Sequence, residues 1–242
     1  MATFVLVHGG GHGGWCYTRV ARLLREAGHL VYAPSLTGLA DRKHLLSPET
    51  DLDLHITDIV NLLDYEDLSE VILVGHSYGG MVITGIADRA GGRIARLVYL
   101  DAAHPKDDES LTDVAPGMMS MAQGELFVQD GVELVMSPDS QVIPLLGVTD
   151  PDDFAWMKSK ITPQPWKTFT QKLHLRDEAA LRRIPRTSIN CTQALRASPP
   201  EARDRQLDGD QLFEIDTGHD LMITEPQAVA DMLLQAAEAA RN

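Results

Sequence analysis

One serine of the sequence lies in a pattern that can perform nucleophilic chemistry. The segment from Gly75 to Gly79 reads G-H-S-Y-G with Ser77 at its centre; the apolar run of residues 71–74 precedes it, and a run of helical period follows. A sharp turn from strand to helix projects a serine hydroxyl above the edge of a sheet, and flanking glycines let the neighbouring backbone approach closely. In this context the pattern predicts that Ser77 is a nucleophile.

A serine hydroxyl needs a base within hydrogen-bond reach, most often a histidine. His219 lies in the segment D-T-G-H-D of residues 216–220, between the last predicted strand and the last predicted helix. In an open α/β sheet such a loop returns to the strand ends, which would also carry Ser77. The position therefore predicts that His219 is the base that takes the serine proton.

A glycine-rich run, H-G-G-G-H-G-G at residues 8–14, follows the first predicted strand. Its backbone N–H groups are not shielded by side chains, so the run can supply one donor of an oxyanion hole. The residue after the nucleophile can supply the other donor. We predict Gly10 as the first donor and Tyr78 as the second.

The same run also fits a dinucleotide-binding pattern. Gly9, Gly11 and Gly14 match G-x-G-x-x-G after a strand and before a helix. That pattern requires an acidic residue about twenty positions further on, at the end of the second strand, to bind a ribose hydroxyl. The sequence has A-P-S at residues 33–35. We therefore predict no nucleotide and no other cofactor.

The elements that must position these residues alternate between short β-rich runs and longer runs of helical period. This alternation is typical of a mostly parallel sheet flanked by helices, so the predicted fold class is α/β. Strands are predicted at residues 3–8, 29–33, 70–75, 94–101, 187–191 and 211–216. Helices are predicted at residues 15–27, 52–63, 81–90 and 226–240.

The regular alternation is interrupted between residues 102 and 184, which we predict to be a helical cap inserted into a core of residues 1–101 and 185–242. Helical stretches are predicted there at residues 152–160 and 169–183, and the D-P-D-D of residues 150–153 is read as a helix start. The aromatic and flexible side chains of the cap form a satellite core, roof an apolar pocket, or do both. We predict that Trp156, Trp166 and His76 contact the substrate.

Composition and charge exclude several classes of protein. The 21 Lys and Arg residues against 35 Asp and Glu residues give a net charge of −14, which disfavours nucleic acid or an anionic membrane as a partner. Cys16 and Cys191 are far apart, and the histidines lack metal-ligand spacing, so neither a disulfide nor a metal is predicted. The apolar run near the start, about five residues, is too short for a secretion signal or a membrane span. We expect a cytoplasmic monomer or homodimer.

Together these features resemble the α/β-hydrolase family, with a cap between the sixth and seventh strands of that fold. The compact N-terminus and the glycine-rich run are similar to the branch of small esterases and hydroxynitrile lyases that contains plant methyl-salicylate esterases. The resemblance implies that Ser77 attacks an acyl group and that His219 transfers the proton, with the two oxyanion donors predicted above. The cyanogenic members carry a threonine and a lysine where this sequence has Gly9 and Asp220. The resemblance therefore implies ester hydrolysis and not cyanohydrin cleavage.

The sequence offers several candidates for the acid partner of His219. In most of the family a carboxylate follows the seventh strand, but the corresponding segment S-I-N-C-T-Q-A-L of residues 188–195 has none. Some hydrolases of this fold place the acid after the sixth strand, where Asp101 ends the run R-L-V-Y-L of residues 96–100. We predict Asp101 as the acid. The alternatives that remain open are Asp204, Asp208, Asp210 and a neutral partner such as Gln193 in a Ser-His dyad.

The resulting hypothesis is a serine carboxylesterase that hydrolyses small or medium apolar esters through an acyl-enzyme. Two alternatives remain open: a relative that binds ligands but turns over little, and a lyase or carbon–carbon hydrolase on the same fold, because fold alone does not set chemistry. Tight binding with negligible turnover would identify the first alternative. A carbonyl product would identify a lyase.

Overall fold

The computed structural model describes residues 1–240, except for the side chains at positions 194 and 197. The strands of this part of the chain are β1 (Thr3–Val7), β2 (Leu30–Tyr32), β3 (Val71–His76), β4 (Ile94–Leu100), β5 (Phe127–Gln129), β6 (Val132–Val135), β7 (Gln164–Pro165), β8 (Arg186–Cys191) and β9 (Gln211–Ile215). Six of them form a parallel sheet in the order β2-β1-β3-β4-β8-β9. These six lie within one residue of their predicted bounds, and the α/β fold class is confirmed.

Burial explains why the central strands contain few polar side chains. All residues of β3 are buried, as are all residues of β4 except Ala95. Strands with both faces covered read as continuous apolar runs, because neither face meets water. At the edge of the sheet, β9 instead alternates between exposed and less exposed side chains.

Helices cover the sheet on both faces. The helices of the described residues are α1 (Thr18–Glu26), α2 (Leu52–Tyr65), α3 (Gly79–Ala90), α4 (Leu111–Val114), α5 (Pro116–Gln123), α6 (Pro151–Lys158), α7 (Lys167–Thr170), α8 (Glu178–Leu181), α9 (Thr192–Ala197), α10 (Pro200–Gln206), α11 (Leu221–Thr224) and α12 (Pro226–Ala239). α1 packs against α12, and α2 packs against α3. None of these described helices is long and apolar enough to span a membrane.

Local signals account for where the long helices begin. The Asp51 carboxylate accepts the N–H of Leu54 at 3.0 Å and caps α2. Pro226 lies in the first turn of α12, where its missing N–H costs no helical bond. The predicted helix of residues 15–27 starts differently, because a 3₁₀ turn (Gly14–Tyr17) precedes α1.

The strand register brings the predicted site residues to one edge of the sheet. Gly75 pairs with Val7, and His76 pairs with Leu100, so the residues that follow β3 and β4 leave the sheet at the same level. The glycine-rich run leaves β1 on the other side of β3. Strand order reverses between β1 and β3, and ligands of open α/β sheets bind at such a switch point.

The segment between β4 and β8 contains strands as well as helices, which corrects the expectation of a purely helical insertion. β5, β6 and β7 form a small antiparallel sheet. These strands have three, four and two residues, too few to show an alternating pattern. The helical stretch predicted at residues 169–183 is also divided, because residues 171–177 separate α7 from α8.

The helix start predicted at residues 150–153 is confirmed. Asp150 caps α6 by accepting the N–H groups of Asp152 and Asp153 at 3.0 and 2.9 Å. The Asp153 carboxylate then binds the Arg19 guanidinium through both of its oxygens. This bidentate ion pair joins α6 of the insertion to α1 of the core.

Two glycines bring the insertion against the loop after β9. A Cβ atom on Gly147 would lie 2.5 Å from the Cα of Gly218, and a Cβ on Gly218 would lie 2.5 Å from the Cα of Gly147. The N–H of Asp220 also donates to the Leu146 carbonyl at 2.9 Å. The two segments therefore meet at backbone distance, which only glycines at both positions allow.

Candidate active site

Ser77 occupies the turn between β3 and α3 in a left-handed backbone conformation, with φ at 53°. Such a conformation costs a non-glycine residue about 1–3 kcal/mol and persists where the surroundings impose it. The Ser77 carbonyl accepts the N–H groups of Gly80 and Ala103, each at 3.0 Å. A Cβ on Gly80 would lie 2.0 Å from the Ala103 carbonyl oxygen, so this turn requires its glycine.

His219, in the loop between β9 and α11, contacts Asp101, which follows β4. The Nδ1 atom of His219 is 2.5 Å from Oδ2 of Asp101. The carboxylate accepts this bond, so Nδ1 carries the proton and Nε2 is left as the acceptor that a base requires. The side chain of His219 is 21% exposed and that of Asp101 is 1% exposed, so the imidazole is accessible while the carboxylate is shielded from water.

Asp101 is held by more than the histidine. The Cys191 N–H donates to Oδ1 at 3.1 Å, and the Cys191 thiol donates to Oδ2 at 3.1 Å. Burial opposes ionisation of Asp101, but its hydrogen bond to His219 and the charge of that ring hold the carboxyl pKa below its usual range. Burial likewise opposes protonation of His219, but Asp101 and the charge of Asp220 raise the pKa of the imidazole.

The other acid candidates lie away from His219. Asp208 forms an ion pair with Arg186 at 3.3 Å, and Asp210 accepts the backbone N–H of the same arginine at 2.7 Å. The side chains of Asp204 and Gln193 are exposed. Of the candidates weighed from the sequence, the structure therefore brings only Asp101 against the histidine.

The two residues predicted to supply the oxyanion donors line one pocket. Gly10 and Tyr78 line it together with Ser77 and His219. Within residues 1–240, the backbone N–H groups of Gly10 and Tyr78 have no hydrogen-bond partner. Both donors are therefore available to a negatively charged oxygen in the pocket.

His8 orients the first of these donors, a role that the sequence interpretation missed. His8 Nε2 accepts the N–H of Leu36 at 3.0 Å, so Nδ1 carries the proton and donates to the Gly9 carbonyl at 2.8 Å. Burial lowers the pKa of His8 to about 3 and keeps the ring neutral. The Gly9 carbonyl belongs to the same peptide group as the Gly10 N–H, so this bond sets the direction of that N–H.

His76 lines the pocket and also supports the histidine loop. Its Nε2 atom donates to the His219 carbonyl at 3.0 Å, and the two rings are 4.7 Å apart. Burial lowers the pKa of His76 to about 3, so the ring is neutral at physiological pH. A neutral ring here adds no charge that would disfavour protonation of His219.

His12 also lines the pocket, and the rest of the lining is apolar and comes from the insertion. It consists of Leu111, Met118, Met119, Met136, Val142, Leu146 and Phe169. Trp156 and Trp166, predicted to contact substrate, are not among these residues. The Trp156 ring packs 5.2 Å from Trp15, and Trp166 lies behind Phe169 with its ring 6.1 Å away. The structure therefore places both tryptophans outside this lining, where Trp156 docks the insertion on the core and Trp166 supports Phe169.

The described residues offer no set of three or more His, Cys, Asp or Glu side chains arranged to hold a metal ion. The two cysteines are buried and not joined to each other.

Comparisons with known proteins agree with this architecture. The family model described as "Alpha/beta hydrolase family" matches residues 4–232. The "Carbendazim hydrolyzing esterase" of Nocardioides sp. (strain SG-4G) is 36% identical over 241 residues, covering 96% of this chain and 98% of that protein. "Methylesterase 1" of Arabidopsis thaliana is 26% identical, covering 97% of this chain and 95% of that protein.

A solved structure of tomato Methylketone Synthase I complexed with 2-tridecanone superposes with a TM-score of 0.80 at 21% identity, covering 99% of this chain and 98% of that one. At this level of identity, the similarity concerns the fold alone. The family match and the Nocardioides relative establish that the chain belongs to the alpha/beta hydrolase family.

Proposed function

We propose that the protein is a serine carboxylesterase that hydrolyses small or medium apolar carboxylic esters through an acyl-enzyme. The observation that carries the proposal is the His219–Asp101 contact of 2.5 Å at a pocket that His219 shares with Ser77. A serine, a histidine that can take its proton and a buried carboxylate that holds the histidine are the three members of a catalytic triad. The names of the relatives support ester hydrolysis and do not favour a lyase.

In the proposed reaction, Ser77 Oγ attacks the ester carbonyl carbon while His219 Nε2 takes the hydroxyl proton. The negative charge that develops on the carbonyl oxygen is stabilised by the N–H groups of Gly10 and Tyr78. His219 then donates the proton to the leaving alkoxide, and the acyl group remains on Ser77. A water molecule then attacks the acyl carbon while His219 takes its proton, and His219 returns that proton to Ser77 Oγ as the bond to the acyl group breaks and the acid leaves.

Asp101 has two tasks in this reaction. It keeps the proton of neutral His219 on Nδ1, so that Nε2 can accept from Ser77. Its negative charge then stabilises the imidazolium that forms during attack. Asp101 is buried and also accepts the Cys191 N–H, so its carboxylate is already held in position before the substrate binds.

The pocket supports an apolar substrate of modest size. Its unfilled space is about 380 Å³ with the part open to solvent included, and most of the side chains around it are apolar. Methionines form part of the wall, and their flexible side chains adapt to differently shaped groups. The name of the Nocardioides relative makes carbendazim a compound to include in a substrate panel.

A substrate panel combined with active-site labelling tests the proposal. We expect the purified protein to release acid and alcohol from short p-nitrophenyl and methyl esters, as measured by product analysis. Treatment with an organophosphate should add one phosphoryl group to Ser77, detected by mass spectrometry of the peptides. Carbonyl products, or labelling at another residue with full loss of activity, would contradict the proposal.

Replacing Asp101 with asparagine is expected to lower kcat by roughly 10³- to 10⁴-fold, because an amide can hold His219 in the wrong tautomer and supplies no charge. Asparagine tolerates the left-handed backbone of Asp101, φ 45°, so the fold should persist. The pKa of His219 should fall without the Asp101 charge, and the acid limb of the pH profile of kcat/KM should shift to lower pH.

Asp208→Asn is the matched control, since it also replaces an aspartate in an ion pair but lies away from His219. Its kcat and its pH profile should match those of the parent protein. Equal losses in the two variants would show that Asp101 has no special role.

A further inference from the structure

A second histidine–aspartate pair is buried beside the site. His12 Nε2 lies 2.9 Å from Oδ2 of Asp220, and the two side chains are 1% and 0% exposed. His12 belongs to the glycine-rich run after β1, and Asp220 directly follows His219. The pair therefore joins the loop that carries one proposed oxyanion donor to the loop that carries the proposed base.

The hydrogen bonds of His12 determine where its protons are. Nδ1 is 2.7 Å from the Gly10 carbonyl, which only accepts, so Nδ1 carries a proton. Nε2 faces a carboxylate oxygen, so a further proton must lie between the ring and Asp220. Burial opposes the charged ring, but the charge of Asp220 raises the pKa of His12, while His12 lowers the pKa of Asp220. The contact is an ion pair.

Both loops are anchored around this pair. The Gly10 carbonyl is bound by His12, and the N–H of Gly11 in the same peptide group donates to Gln164 Oε1 at 2.9 Å. The His12 ring stacks on Trp15 with a centroid distance of 5.3 Å and an interplanar angle of 18°. With its ring held on one face and at both nitrogens, His12 has little freedom to move.

We propose that His12 and Asp220 are a positioning pair that holds the Gly10 N–H and His219 at their working separation across the pocket. The proposal rests on the serine esterase function proposed above. Neither side chain reacts with the substrate in this scheme. Loss of the pair should slow formation of the oxyanion, which needs both loops in place. Substrate binding should change little, because His12 is one residue of a mostly apolar lining and Asp220 is not part of it.

Three single variants separate geometry from charge. His12→Ala and Asp220→Ala remove the link, and each should lower kcat by roughly 10- to 100-fold with little change in KM, the size expected for a small misplacement of reacting groups. Asp220→Asn should keep kcat within about threefold of the parent, because its amide can donate to Nε2 of a neutral His12 whose Nδ1 still binds Gly10. Asp220→Asn should therefore retain most of the kcat that Asp220→Ala loses.

Removing one partner of a buried ion pair also destabilises a protein, so rates must be counted per folded site. The burst of p-nitrophenol gives the number of competent sites, and kcat is divided by that number. The rate of inactivation by an organophosphate, which also forms a charged oxygen in the pocket, should fall in parallel with kcat. Arg205→Ala is the control, since it breaks the Arg205–Glu109 ion pair of 2.6 and 2.9 Å without contact to the pocket.

The double variant of His12→Ala and Asp220→Ala tests whether the pair acts as a unit. Its loss in kcat should be no larger than that of the worse single variant. Losses that multiply, or alanine variants with parental kcat per titrated site, overturn the inference while the esterase function stands. Turnover of the parent protein that survives Ser77→Ala would overturn both.

Discussion

Replacing Ser77 with alanine is expected to lower kcat for a short p-nitrophenyl ester by roughly 10⁴- to 10⁶-fold, because nucleophile and base act as a unit. Without the hydroxyl, His219 and Asp101 have no group to activate. The oxyanion donors and the pocket remain, so substrate binding should change little. Initial rates of the purified, folded variant measure the loss.

Two further serine variants sharpen this result. Ser159→Ala removes an exposed hydroxyl at the end of α6 and should retain parental activity. Ser77→Gly should be as inactive as Ser77→Ala but more resistant to urea by about 1 kcal/mol, because glycine adopts the left-handed conformation of residue 77 without strain. Substantial hydrolysis by either Ser77 variant would exclude this serine as the nucleophile.

Acid is expected to unfold the protein well above the pKa of an ordinary carboxyl group. Burial lowers the pKa of His8, His76 and His104 to about 3 and that of His55 to about 4. In the unfolded chain these rings titrate near 6.5. Above pH 6.5 the four rings are neutral in both states, and their contribution to stability is complete.

Below pH 6.5 the unfolded chain binds protons that the folded chain does not bind until about pH 3 to 4. The free energy of unfolding therefore falls by up to about 1.4 kcal/mol per pH unit for each ring, or roughly 2 kcal/mol per ring at pH 5. The four rings together lower the stability by several kcal/mol at pH 5, and His12 and His219, whose pKa values are raised in the folded chain, offset part of this loss. Urea unfolding curves at pH 7, 6 and 5 measure this slope.

A matched pair of histidine variants tests the cause. The His104 ring stacks on Tyr99 at 4.0 Å, and its Nε2 atom is shielded from water without a partner. His104→Phe can keep the stacking but cannot bind a proton, so the slope between pH 6 and 5 should flatten by roughly 1 kcal/mol per pH unit. His44→Asn, at an exposed position, should leave the slope unchanged. Identical slopes in all three proteins would exclude buried histidines as the cause.

The sequence was sufficient to predict the fold and the site residues where the pattern lies within a few consecutive residues. The six central strands show their burial as apolar runs, and Ser77 lies between glycines in five consecutive residues that follow a strand and precede a helix. His219 could be chosen from its place after the last strand. Asp101 was proposed from the family resemblance, because the usual position of the acid has no carboxylate and some hydrolases of this fold place it after the sixth strand.

The sequence was insufficient to predict side-chain contacts between residues that are far apart along the chain. His12 was visible in the glycine-rich run, but its partner Asp220 is 208 residues away. His8 likewise acts through Leu36, 28 residues on. Trp156 was assigned to the pocket as an aromatic side chain of the insertion, whereas its ring packs on Trp15 and lies 5.5 Å from the Arg19 guanidinium. No local sequence pattern distinguishes an aromatic side chain that packs the insertion on the core from one that lines the pocket.

The crossing of Gly147 over Gly218 limits how the substrate range of this protein can be redesigned. A methyl group on Gly147 would press on the backbone of Gly218 and His219, so an exchanged insertion must keep glycine at position 147. α4 and α5 contribute to the pocket through the side chains of Leu111, Met118 and Met119. The side chains of this wall can therefore be substituted to change the pocket, whereas the contact of Gly147 with Gly218 must be kept.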